Sequence, residues 1–277
     1  MLKKISLFLA DALKDARHPQ LIIQSSLLIF LIIWSDFAPR LEVIALTIGA
    51  TILTQFIFFK IFKIPSKDFR SPLATSISLS LLFKANIIWL YPLVGAVAIA
   101  TKFLIRWKGK HVFNPSAVGI VLGLILFPDH VWVSPGQWGS ALLLGFTLLC
   151  LAAIVLNRAK SSDIAFFFLG SWILLNFARA LWLGDPLSIP FHNIQSGTLL
   201  IFAFFMLSDP MTIPDRRLGR FIFALAVAGL AFALQYGFQI REALFYALVA
   251  VCMITPLLDY FFKGRRYRWK TFEGKQT

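Results

Sequence analysis

Charge is scarce in this chain, and negative charge is scarcest. Thirteen Asp and Glu stand against 27 Lys and Arg, and charged residues make up 14% of the 277. A soluble domain carries roughly a quarter charged residues, so a surface covered by water is excluded. Glycine loops that cradle phosphate, a dinucleotide-binding glycine pattern, a nucleophile elbow and paired catalytic carboxylates are all absent, which argues against a self-contained enzyme of soluble type. The two cysteines, Cys150 and Cys252, lie in the middle of apolar runs and lack metal-ligand spacing, so they read as small packing residues. Histidine is limited to His18, His111, His130 and His192, all in or near connections. A membrane haem needs histidines facing each other within spans, so haem is not expected; His130 and His192 share the outer side and read as loop histidines, the alternative being contact with a metal or a quinone headgroup, and no metal site is assigned.

Apolar residues, at 58%, are arranged in runs. About 20 such residues cross a bilayer as a helix, and the runs predict ten spans: 21–38, 41–62, 72–84, 86–106, 114–128, 136–157, 163–184, 194–208, 216–238 and 241–262. Of the 27 Lys and Arg, 23 fall in the N-terminal segment, in alternate connections and in the tail. Only Arg40, Lys84, Arg179 and Arg241 lie elsewhere. This asymmetry places both termini in the cytoplasm of a multi-pass protein in a bacterial-type inner membrane. The basic residues follow the loops and form no separable face, so nucleic acid is not an expected partner; the lipid bilayer is. The organisation is a cytoplasmic amphipathic segment over 1–20, a membrane domain over 21–262 and a basic tail over 263–277. No small-residue cleavage site follows the first long run, and no signal peptide is read.

Spans 72–84, 114–128 and 194–208 are short, and a 13-residue helix reaches only about 20 Å. They carry Thr75, Ser76, Ser78 and Ser80, then Asn114 and Ser116, then Ser196, Gly197 and Thr198. Such residues permit close helix packing, or they line a central site, as interrupted transporter helices do. Ten spans divide into five and five, and an odd number per half inverts the second half relative to the first. The fold class is therefore all-α: an integral membrane protein of ten helices in two inverted five-helix repeats, about 21–128 and 136–262. Arg179 lies within a span, with Asn176 one turn before it and Asp185 beyond. A structural pair with Asp185, an anion or quinone site and simple snorkelling are the readings open to it. Lys84 and Asp163 can snorkel to the interfaces. Trp89, Trp132, Trp138, Trp172 and Trp182 fit an interfacial belt.

Three loop motifs precede or end the short spans. Phe69-Arg70-Ser71-Pro72 and Asn114-Pro115-Ser116 read as proline-started helices, with Asn114 a good cap. Leu207-Ser208-Asp209-Pro210-Met211-Thr212 ends a span in a turn. The order "GKHVFNPSAVGIVL", one span, then "SGTLLIFAFFMLSDPMTIPD" resembles the membrane subunits of redox-driven ion pumps. These are NqrB of the sodium-translocating NADH:quinone reductase and RnfD of the Rnf electron transport complex. The resemblance covers most of residues 20–262 and rests on Gly109, Lys110, Phe113, Asn114, Pro115 and Ser116, then Ser208, Asp209, Pro210 and Thr212. It implies ten helices in two inverted repeats, electron transport coupled to ion movement, and other membrane or redox subunits as partners. It also implies that Asn114-Pro115, Ser196-Gly197 and Asp209-Pro210 frame one cavity, suited to non-covalent FMN or riboflavin or to a quinone. Family members carry FMN on a threonine between the fifth and sixth spans. Here that connection, 128–140, has no threonine, so covalent FMN is not expected. The alternatives are a channel or transporter for a small solute or flavin, and a scaffold that recruits an enzyme through the basic tail.

Overall fold

A computed structural model describes residues 17–34, 39–65, 68–134 and 162–264. The expected span 136–157, Cys150, Trp138, most of the basic tail and nearly all of the N-terminal segment lie outside these. Eleven α-helices are described: α1 (Arg17–Trp34), α2 (Leu41–Ile61), α3 (Arg70–Leu82), α4 (Leu90–Leu104), α5 (Pro115–Leu126), α6 (Ser162–Leu183), α7 (Ser188–Ile194), α8 (Gly197–Ile201), α9 (Arg217–Gly237), α10 (Ala243–Cys252) and α11 (Thr255–Phe261). A π-helical turn, Phe202–Met206, continues α8.

The chain is a helical membrane protein. Among the described residues three helices, Leu41–Ile61, Asp163–Leu183 and Arg217–Gly237, are long and apolar enough to cross a bilayer, and up to five segments are if two bent pairs each count as one. In α2 only 22% of the apolar window is buried, so its outer face is free for lipid. Glycine sets how closely helices approach. A Cβ on Gly119 of α5 would stand 3.0 Å from Ala98 Cβ and 3.2 Å from the Val94 carbonyl oxygen on α4. Gly95 of α4 lies likewise against Thr47 and Thr51 of α2. Helices α6 and α9 pack together, and α10 bridges from α9 to α5. Phe168, Phe202, Phe223 and Phe245 are fully buried on this side, with Phe202 edge-on to Phe245.

The expected span 241–262 is broken, and 194–208 begins at a bend. The helices α7 and α8 meet at 50° around Gln195-Ser196, and α10 and α11 meet at 47°. Pro256 stands at the start of α11, where its missing N–H and clash with the preceding turn end the helix before it. Among the described residues four short strands add to the expected all-α architecture. β1 (Phe83–Ala85) follows α3 and pairs antiparallel with β4 (Val131–Val133), which follows α5; Lys84 lies opposite Trp132. β2 (Arg106–Trp107) pairs with β3 (Lys110–His111). The first pair has a physical cause. Helices α3 and α5 span only about 20 Å, and backbone leaving a short helix at membrane depth must find partners. Pairing supplies them, extended by Ser134 N donating to Leu82 O at 2.8 Å.

The molecule has two distinct ends. One carries the β2–β3 hairpin, the Asp209 turn and, among the described residues, most Lys and Arg; the other carries β1–β4, α7 and Arg241. At the basic end Lys110 Nζ donates to Asp215 (2.8 Å), Asp259 (3.0 Å) and the Ile213 carbonyl (2.9 Å). This joins the first half of the chain to the second. Asp163, expected to snorkel, instead accepts from Arg220 at 2.6 and 2.8 Å.

Candidate functional site

The basic end holds a cavity of about 200 Å³ between the starts of α3 and α5 and the end of the π-turn. Asn114, Pro115, Ser116, Asp209 and Pro210 all line it. Asn114 sits at the N-cap of α5, its Oδ1 accepting from Ala117 N at 3.1 Å. Its Nδ2 donates to Met206 O at 3.2 Å. That carbonyl is available because Pro210, four residues on, has no N–H to give it; Ser208 Oγ bonds the Phe204 carbonyl one turn back. Ser116 Oγ reaches Thr75 O at 3.4 Å, tying α5 to α3.

Asp209 closes the cavity wall. Its Oδ2 lies 3.2 Å from His111 Nε2, and its Oδ1 accepts from Met211 N at 3.0 Å. Burial alone would raise its pKa. The bond and charge of His111, the Met211 N–H and the charge of Lys102 outweigh burial and hold the carboxyl below the usual aspartate range. Thr212, buried beside it, bonds to the Asp209 carbonyl through both N (3.0 Å) and Oγ1 (3.1 Å). It shapes the turn and does not line the cavity.

The other candidates lie elsewhere. Ser196 and Thr198 line a second cavity of about 710 Å³ at the opposite end, with Trp132, Trp172, His192 and Arg241. Ser196 caps α8, accepting from Leu199 N at 3.5 Å; Thr198 Oγ1 donates to Ser134 O at 2.6 Å. Gly197 is buried at the start of α8. The expected single cavity is thus two, because Ser196 starts its short helix from the end opposite to Asn114. Trp172 is 3% exposed and forms cavity wall rather than an interfacial belt; Trp89, Trp132 and Trp182 are exposed. Arg179 lines neither cavity. It pairs with Asp185 at 3.2 Å and lies 4.3 Å from the Tyr236 ring centroid. Tyr236 in turn donates to Asn176 at 2.6 Å, so this cluster fastens α6 to α9.

Residues 135–268 match the model of the NQR2, RnfD, RnfE family. Over that stretch, just under half of its length, the chain is similar to the family. Relatives extend the likeness toward the N-terminus. The RnfD-type subunit of the ion-translocating oxidoreductase complex of Alcanivorax borkumensis is 26% identical over 264 aligned residues, covering 74% of this chain and 77% of the relative. The corresponding proteins of Pseudomonas paraeruginosa and Ectopseudomonas mendocina are 23% and 24% identical, covering 71% and 73% of this chain and 74% and 75% of the relatives.

Two cavity residues carry no local sequence signal for their place there. Lys102 lies near the end of α4 and bonds Gln55 Oε1 (3.1 Å) and Ser71 Oγ (2.7 Å). It counted only as a loop-edge charge. His111 was one of four loop histidines, and its partner is 98 residues away. Among the described residues no group of three or more His, Cys, Asp or Glu could hold a metal ion.

Proposed function

We propose that this protein is a membrane subunit of a redox-linked, ion-translocating complex, in the place that the RnfD-type relatives hold in theirs. The observation that carries this is the meeting of two separate motifs. Asn114-Pro115-Ser116 and Ser208-Asp209-Pro210 lie far apart in sequence and share one cavity wall. In this reading the full architecture is ten helices in two inverted repeats, with the basic end and both termini cytoplasmic. The support is that α3 and α5 start at one end while α8 and α10 start at the other, each pair beside a cavity.

The residues at the basic end suit a ligand with acceptor oxygens. Lys102 supplies donors, Asn114 marks the N-terminus of α5, and Phe204 and Phe205 supply flat apolar wall. A quinone or a non-covalent flavin would be held by these groups and would supply the redox chemistry. Purification from native membranes followed by absorption and in-gel fluorescence is the test. Companion subunits together with a chromophore released on denaturation support the proposal. A colourless protein that purifies alone and moves solute in liposomes favours the transporter reading, which the two cavities at opposite ends also suit.

A further inference from the structure

We infer that the basic-end cavity is a hydrated vestibule that admits small anions and ends on the amide of Gln24. Gln24 is fully buried in α1, and its Nε2 donates to Ser78 Oγ at 2.9 Å. Its Oε1 has no hydrogen-bond partner. A buried amide oxygen left unpaired in an apolar bundle is costly, and exchanging O and N of the amide only moves the unpaired atom. Water at this point removes the penalty, and a route for it exists. Ser71, Thr75 and Ser78 stand at i, i+4 and i+7 on α3, and all three line the cavity. Ser78 thus lies about 10 Å below the mouth, and a hydroxyl face leads to it.

The sign of the mouth follows from its side chains. Arg17, Lys102 and Arg106 line it. Arg17 is paired with Asp68, and among the described lining residues Lys102 and Arg106 face the single carboxylate of Asp209. Lys102 Nζ contacts only the neutral Gln55 and Ser71 oxygens, so no carboxylate cancels it directly. Low-dielectric walls focus such a field and concentrate anions.

The inference stands apart from the redox reading, because its test needs neither partner nor electron donor. In a Cys150→Ser background, Ser78→Cys protein in oriented vesicles is treated with membrane-impermeant methanethiosulfonates carrying either a sulfonate or a trimethylammonium group. Each rate is divided by that with a free thiol. We expect modification only from the basic face, roughly tenfold faster for the sulfonate at low salt, with the ratio shrinking as salt rises. Buried Cys252 stays unmodified and reports an intact fold. Adding Gln24→Leu should slow modification, because the floor then has no buried amide to hydrate. A silent Ser78→Cys beside a reactive Arg106→Cys would overturn the hydrated floor. Faster reaction with the cationic reagent would overturn the anion preference, and an unchanged rate in Gln24→Leu would remove that amide as the end of the path.

Discussion

At the scale of single residues, a few buried polar side chains of this bundle, Asn114, Asn176 and Lys110 among them, hold two or more partners at once. Asn114 caps α5 and also bonds the Met206 carbonyl. Asn114→Ala should therefore cost about 1–3 kcal/mol, the cap together with an orphaned carbonyl. Thermal unfolding in detergent measures this, and an unchanged midpoint would show that neither bond matters to the fold. Asp68 gives a pH signature. Burial pushes its pKa up, but the hydrogen bond from Arg70 and the charges of Arg17 and Arg70 bring it down from 3.8 to about 2. A depressed aspartate adds stability above its unfolded value and loses it as pH falls through the folded one. Here about 2 kcal/mol is present above pH 4 and lost toward pH 2. Asp68→Asn should flatten the unfolding midpoint across that window and lower it near neutrality. Asn114 was legible because capping is local: the sequence around a proline-started helix names its own cap. The His111–Asp209 pair was not, because nothing in either neighbourhood encodes a partner across 98 residues.

At the scale of elements, short helices carry the information and glycine sets their spacing. Helices α3 and α5 were readable from Pro72 and Pro115, and their ends from the apolar run. The strands that follow were not. Phe83–Ala85 and Val131–Val133 are three residues each, too short for an alternating pattern to rise above the apolar background. They form because the chain leaves a short helix with backbone groups to satisfy, a demand of the surroundings rather than of side-chain identity. The break before Pro256 was likewise hidden inside a run that passes as continuous on hydropathy alone, whereas the helix start at Ser196-Gly197 was legible from its cap. Close packing at Gly119 yields a sharp prediction. A side chain there meets Ala98 and Val94 at 3.0–3.2 Å, and α4 would have to move away from α5. Gly119→Leu should destabilise the fold by about 1–3 kcal/mol through overpacking. Gly170→Leu, where a Cβ meets nothing within 4 Å, should leave the unfolding midpoint unchanged. Similar losses at both positions would mean that glycine acts there through something other than space.

At the scale of the whole molecule, the halves are held together by contacts that local sequence cannot announce. α5 packs on α10, Asn114 reaches the π-turn, and Lys110 bonds two carboxylates from the second half. Lys110 was visible as part of a family motif, and its position there reads as loop chemistry. In the fold it is 7% exposed and sits between Asp215 and Asp259, 105 and 149 residues away. Asp259 also accepts from Asp215 N at 2.8 Å, so this lysine organises the turn that carries α9 away from the cavity. Removing it leaves two carboxylates facing each other without a counter-charge. Breaking a buried pair in this way costs about 3–5 kcal/mol, whereas removing all partners together costs far less. Lys110→Met should accordingly lower the unfolding midpoint strongly and open the Asp209 turn to protease. The triple variant Lys110→Met, Asp215→Asn, Asp259→Asn should recover much of the loss, because the stranded charges go with the lysine. Recovery would show that the triad sets the register between the halves through charge balance. If the triple variant is as unstable as the single one, the lysine contributes through its three directed hydrogen bonds, and the joint between the halves depends on their geometry instead.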